Sequence, residues 1–516
     1  MQFRTTMRGT VKTRNAFSWL TAAVLMVGGV ANAQDSTAAN RSGDTALVAA
    51  APETIPVTTS SSQARQAYEM GMVQREDRLF VDEGLEFFRH AVKADPEFAL
   101  GHAALGYFTS DPQEGKRESA LAVKYLDKAS PDEQLLIRWY NGTKNGEIVP
   151  AISAMNDLLA KYPHDKRLAN MDAEWLCSNQ AAPEPGIAIL LKLLKSDPRY
   201  YPATNNIAYC YAFAGKAKLA PPYMDVYVAA LPNEPNPQDS YGEIMRMLGD
   251  YPAALDHYHK ALAINPNFNP SQVGVASTYA LMGEQEKARA QYRVAIAGTK
   301  EQSTKLNYRI LSALTYYREN DLKRGREEMT KLAIEARTTG MPVQEAEIHR
   351  TMALFNPSPA GALRDLDAAR AVLNQTHRLL PGDRDIELAS ILQTRAILAA
   401  SAGKTEAAEA SLKPLSDMAQ KSRSTPVQKS FHSANGAVLF AKGDYAAAIP
   451  ELEEDSYNPL SLRLLADAQT KAGQAAEAQK TLTTLAAVSD ERVETAFAAP
   501  QARALLKTDA PQTGGN

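Results

Sequence analysis

Small residues recur in pairs twelve positions apart: Ala208/Ala220, Gly242/Ala254, Ala276/Ala288, Ala313/Gly325, Ala396/Ala408, Gly436/Ala448 and Ala466/Ala478. Most pairs enclose a turn residue, namely Gly215, Gly249, Gly283, Asn320, Gly403, Gly443 or Gly473. The flanking apolar positions follow helical spacing. This pattern predicts antiparallel helix pairs joined by short turns, with a small residue on each helix where the backbones cross. A second period agrees with the first. Pro96, Pro131, Pro163, Pro198, Pro232 and Pro266 stand 35, 32, 35, 34 and 34 residues apart. Each is expected to close a helical run, because proline lacks the amide N–H and clashes with the preceding turn.

The residues around the pairs carry a family resemblance. Tyr241-Gly242, Gly249-Asp250-Tyr251, Ala254, Tyr258, Ala261-Leu262 and Pro266 make a near-complete copy of a motif. Ala276, Tyr279, Gly283, Ala288, Tyr292 and Ala295 repeat it, and Ala208, Tyr211, Gly215, Ala220 and Pro232 precede it. Leu105-Gly106 starts a weaker copy. The pattern resembles the tetratricopeptide repeat, although the leading tryptophan of that family is not clear in any unit. The resemblance implies an all-α fold, a right-handed α-solenoid of roughly eleven or twelve hairpins between residues 65 and 490. Stacking follows from burial, since one hairpin cannot cover both of its apolar faces alone.

The array is expected in two parts. Residues 63–340 form the longer one and 386–508 the shorter, with Asp490 to Lys507 capping its open end. Between them, 341–385 lacks a small-residue pair and contains Pro342, Pro357, Pro359 and Pro381-Gly382. It reads as a degenerate helical joint. Residues 34–62, rich in Ser, Thr, Ala and Pro, and residues 509–516 read as disordered segments.

Composition supports this picture. The chain of 516 residues is 45% hydrophobic and 22% charged, with only 7% aromatics, which argues against a large β-sheet. Residues 1–33 read as a signal peptide. Arg4, Arg8, Lys12 and Arg14 lead into the apolar run Phe17 to Val30, and Ala31-Asn32-Ala33 suits cleavage before Gln34. That run of 14 residues is shorter than the ~20 a spanning helix needs. Removing the four basic groups takes the formal charge from −3 to −7. Such a balance is poor for general nucleic-acid binding, which needs clustered Lys and Arg. A periplasmic or secreted location follows. Cys177 and Cys210 are too few for a disulfide scaffold. They lie one repeat apart and could face each other on neighbouring helices, but two buried free thiols is the simpler expectation.

No catalytic constellation emerges: no nucleophile elbow, metalloprotease helix, phosphate loop or dinucleotide fingerprint. No cofactor is implied. His257 and His259, two apart on a helix, point in directions about 200° apart and cannot chelate one ion. Asp383, Asp385 and Glu387 lack the glycine and distal glutamate of a calcium loop and read as a solvated turn with helix N-cap residues. Glu451, Glu453, Glu454 and Asp455 read as a solvated acidic surface.

What remains is the groove. In the family that the repeats resemble, the first helix of each pair lines a concave surface that binds peptides. The residues this register places there are Trp175, Asn205, Tyr209, Phe213, Glu243, Arg246, Tyr317 and Arg318, the aromatics and Arg246 being suitable anchors. Trp175 and Phe213 could equally pack between repeats. The Lys/Asn/Arg set that clamps chaperone C-termini is not found. The leading expectation is a scaffold that holds a protein or peptide partner. A ligand or enzymatic site at 341–385, formed by His349, Arg350, Asp365 and His377, is one alternative. A self-assembling array is another.

Overall fold

Twelve helical hairpins and a closing helix make up the computed structural model, which describes residues 54–77 and 81–508. The expected export signal, residues 34–53 of the linker and the tail from 509 lie outside the described residues. The first hairpins are α1 (Ser62–Met72) with α2 (Val81–Ala94), and α3 (Ala99–Phe108) with α4 (Pro112–Lys124). Next come α5 (Pro131–Asn145) with α6 (Ile148–Lys161), and α7 (Lys166–Ser178) with α8 (Pro183–Ser196). The middle of the array holds α9 (Tyr201–Phe213) with α10 (Pro221–Ala230), and α11 (Pro235–Met247) with α12 (Tyr251–Ile264). It continues through α13 (Asn269–Leu281) with α14 (Gln285–Gly298), and α15 (Gln302–Arg318) with α16 (Leu322–Thr339). The last four pairs are α17 (Pro342–Leu354) with α18 (Pro359–Gln375), α19 (Pro381–Ser401) with α20 (Thr405–Lys421), α21 (Thr425–Ala441) with α22 (Tyr445–Glu453), and α23 (Pro459–Lys471) with α24 (Ala475–Ala486). Helix α25 (Val493–Thr508) packs on α23 and α24. The described residues contain no strand. None of their helices is long and apolar enough to cross a membrane.

The turn residues act as the spacing predicts. Gly215, Gly249, Gly283, Asn320, Gly403, Gly443 and Gly473 all have φ between +66° and +84°. That left-handed conformation ends one helix and reverses the chain, at least steric cost for glycine. The small pairs lie in the helix crossings, and all fourteen members are buried. Around Tyr258 the reason is visible. A Cβ added to Gly242 would meet its ring at 2.9 Å, and one added to Gly274 would meet it at 2.3 Å. Two glycines from successive first helices thus make the slot for one buried ring.

Five expectations are corrected. Pro96, Pro163, Pro198, Pro232 and Pro266 follow helices, but Pro131 opens α5. There the missing N–H costs nothing, and Ser130 and Glu133 close a reciprocal capping box. The end of the expected disordered linker is tied to the array. Thr58 N donates to Glu133 Oε1 at 2.6 Å, Thr59 Oγ1 donates to Asp95 Oδ2 at 2.5 Å, and Ile55 and Val57 pack on the core. Cys177 and Cys210 are not free thiols but a disulfide joining α7 to α9, with Cα atoms 5.4 Å apart. Equivalent positions on successive first helices meet, and Gly186 leaves room where a Cβ would lie 2.4 Å from Cys177 Sγ. Asp455 is not on a solvated surface. It is buried and accepts from Gln393 Nε2 at 2.5 Å and Ser461 Oγ at 2.9 Å. Asp383, Asp385 and Glu387 do sit at a helix start, but inside α19 rather than capping it, since Leu380 is the N-cap and Asp383 lies in the first turn, and burial pushes Glu387 up to about 7.

Residues 342–375 pair as α17 and α18, and both join the stack through α16 and α19. The interior changes character along the array. Long apolar clusters cover the ends, an aromatic-rich one at residues 64–175 and a largely aliphatic one at 306–502. Between α9 and α14 the apolar clusters are small, and buried polar groups such as Asn236, Asp239, Arg246, Ser271 and Thr278 take over. The two ends also approach one another, since α19 packs against α5.

Candidate partner-binding site

The eight residues assigned to the concave face separate into distinct settings. Tyr209, Glu243 and Arg246 come together. Tyr209 donates its hydroxyl to Glu243 Oε2 at 2.9 Å, and Arg246 Nη2 donates to Glu243 Oε1 at 2.9 Å. Arg246 is buried, its Nε lies 3.3 Å from the Tyr258 hydroxyl, and its Nη1 pairs with Glu491. The surrounding carboxylates outweigh the burial and hold its pKa well above the ordinary value. Beneath them Asp239 is buried, and that burial raises it to about 7.

Asn205 is buried, with no donor to its Oδ1. Phe213 is exposed, its ring 6.2 Å from Tyr209. Tyr317 is buried and stacks on Phe355 at 4.4 Å, so it packs between repeats. Arg318 is half-buried and reaches the carbonyl of Asp490 at 3.5 Å. Trp175 lies elsewhere, buried edge-on against Trp139 with centroids 6.3 Å apart.

Trp175 belongs to a cavity of about 590 Å³. One wall comes from α3, α5 and α7, and the other from α19, α20 and the start of α21. Tyr107, Phe108, Trp139 and Trp175 make an aromatic floor. Charges of both signs surround it: Arg75, Lys144 and Glu174 on one side, Arg384, Asp417 and Lys421 on the other. Lys144 pairs with Asp383 across the seam at 3.4 Å. The seam is tight at Gly146 and Gly382, where a Cβ on Gly382 would lie 2.5 Å from Gly146 N. The indole N–H of Trp139 has no acceptor. A volume of this order, apolar below and polar around the edge, suits a ligand or a few residues of a peptide.

The helix pairs, left-handed turns and small-residue crossings decide the fold class. The chain is an α-solenoid of tetratricopeptide-like hairpins. No family model and no curated protein matches its sequence. Among solved structures it is similar to a tetratricopeptide repeat protein from Parabacteroides merdae, at 16% identity over 47% of this chain and 93% of that one, with a TM-score of 0.37. It is also similar to the APC/C hetero-tetramer Cut9–Hcn1, at 15% identity over 81% and 75%, TM-score 0.40. A third is PilW, a type IV pilus biogenesis factor, at 17% identity over 48% and 99%, TM-score 0.28.

Of the four residues expected at a site in 341–385, His349 and Asp365 lie close enough to feel each other's charge, while each of the others has a separate setting. Asp365 forks to Arg326 at 2.8 and 2.9 Å and accepts from Asn356 at 2.8 Å. Arg350 pairs with Glu494, His349 is half-buried with both ring nitrogens unpartnered, and His377 is exposed. His257 stacks on Tyr241 at 4.1 Å while His259 is exposed.

The cavity residues that sequence reasoning missed are Tyr107, Phe108 and Trp139. A signal existed. Tyr107, Trp139 and Trp175 stand 32 and 36 residues apart, close to the repeat period, so one aromatic per unit occupies equivalent positions on three first helices.

Proposed function

We propose that this protein is an exported scaffold that holds a protein or peptide partner on its inner face and does no chemistry of its own. The aromatic-floored cavity around Trp175 carries the reading. Large rings supply contact area at low entropy cost, and a rim of both signs suits a zwitterionic peptide chain better than a uniformly charged ligand. The basic, apolar and small-residue order of positions 1–33 supports export. N-terminal sequencing of the protein from the cell envelope is expected to begin at Gln34. A chain that retains Met1 would remove the export half.

The binding half is tested by capture from envelope extract with the natural chain and with Asp417→Lys/Lys421→Glu. Both positions are exposed, so the fold survives the exchange. One partner should be retained by the natural chain and lost by the variant. Equal recovery by both would remove the cavity from the account.

A further inference from the structure

The arginine-bearing part of the inner face is covered by the chain itself. Between α24 and α25 the backbone passes through Ser489, Asp490, Glu491 and Arg492 with a bend at Asp490, whose carboxylate accepts from Arg492 N at 3.1 Å. Ser489 Oγ donates to the carbonyl of Arg246 at 2.9 Å and lies 3.1 Å from the Tyr251 hydroxyl. Glu491 pairs with Arg246, the Asp490 carbonyl accepts from Arg318, and Glu494 pairs with Arg350. Arg246 on α11, Tyr251 at the start of α12, Arg318 on α15 and Arg350 on α17 therefore hold one short acidic segment.

We propose that residues 489–494, the α24–α25 connection with the first two residues of α25, are a displaceable strap, and that the surface beneath them accepts a short acidic peptide of a partner in their place. This rests on the inner face being the binding face, but not on the cavity around Trp175. Two observations support displacement. The anchors at Ser489, Asp490 and Glu491 are polar and charge-assisted, and only Val493, the first residue of α25, packs in the core. A void of about 200 Å³ remains beneath the strap, lined by Ile310, Leu314, Glu347, Thr351 and Val493 among others. Few apolar contacts and incomplete packing mark segments that open below the global unfolding free energy. The strap shows which chemistry the surface takes: a hydroxyl or carbonyl-rich backbone, one carboxylate for Arg246 and a second, three residues on, for Arg350.

The probe is a labelled peptide of the chain's own residues 487–496, titrated into the full chain by fluorescence anisotropy. It should bind Glu491→Ala about tenfold tighter than the natural chain, because the internal competitor has lost one charge-assisted anchor. Adding Arg246→Ala should abolish that gain. Hydrogen exchange on the unsubstituted chain gives a second measurement, independent of any folding defect. Amides of 489–493 should exchange at least tenfold faster than those of α23. Equal peptide affinity for the natural chain and Glu491→Ala, or exchange at 489–493 as slow as in α23, would make the segment a fixed cap and overturn the proposal. Loss of cavity binding through Asp417 and Lys421 would leave this result untouched, so the two failures are distinguishable.

Discussion

Cys177 and Cys210 bond α7 to α9 across one repeat, with Cα atoms 5.4 Å apart and a sequence separation of 33. A link of that span removes loop entropy from the unfolded chain worth about 3–4 kcal/mol on the chain-entropy account. Thiol titration of protein isolated from an oxidising compartment should find no free thiol before reduction and two after unfolding in reductant. Cys177→Ser/Cys210→Ser should lower the urea midpoint by an amount equivalent to about 2–4 kcal/mol. Two free thiols in the native protein would contradict the pairing.

Gly274 seats the ring of Tyr258 so closely that a methyl group has no space, with three ring carbons within 2.8 Å of the added Cβ. The ring is fixed by burial and by the contact of its hydroxyl with Arg246. Gly274→Ala should therefore destabilise by about 1–3 kcal/mol through overpacking. Gly249→Asn changes an open turn with nothing within 4 Å, at φ +79°. Asn tolerates that conformation, so its cost should be below about 1 kcal/mol. Denaturant melts of the two variants check the contrast.

Asp239 gives a pH signature. Its burial outweighs the hydrogen bond from Ser271 and the field of Arg246, while Glu243 adds to the shift, so its pKa is raised to about 7. A raised carboxyl binds its proton more tightly when folded. Its contribution to stability is full below about 4, the ordinary aspartate value, and is lost as pH rises to about 7. Across that window the slope approaches about 1.4 kcal/mol per pH unit for this group. Relative to the natural chain, Asp239→Asn should thus lose less stability between pH 5 and pH 7. Parallel stability curves for the two proteins would refute the assignment.

The repeat was legible because it is backbone geometry written in residue size. A left-handed turn at Gly249 and a close crossing at Gly242 and Ala254 admit few residue types, so they leave a trace at fixed spacing. The disulfide left only half a trace. Its spacing matched the period, but the missing side chain at Gly186 that lets the sulfur fit is visible only in three dimensions. The cavity depends on α5 meeting α19, some 240 residues along the chain, through glycines 146 and 382. No local pattern encodes such a closure. The strap was hidden for the same reason: Arg246 and Glu491 are 245 positions apart. Asp455 misled because an acidic run looks alike whether its members face water or, as here, one of them turns inward to Gln393 and Ser461.

If the inner face is the binding face, a partner lies against it in the cell. Photo-crosslinking in intact cells tests it most directly, with a photoreactive residue at Lys421 on the cavity rim or at Val294, an exposed position on the second helix α14. The account predicts one discrete adduct from position 421 and none from 294. Adducts from 294 alone, or the same adducts from both positions, would contradict it.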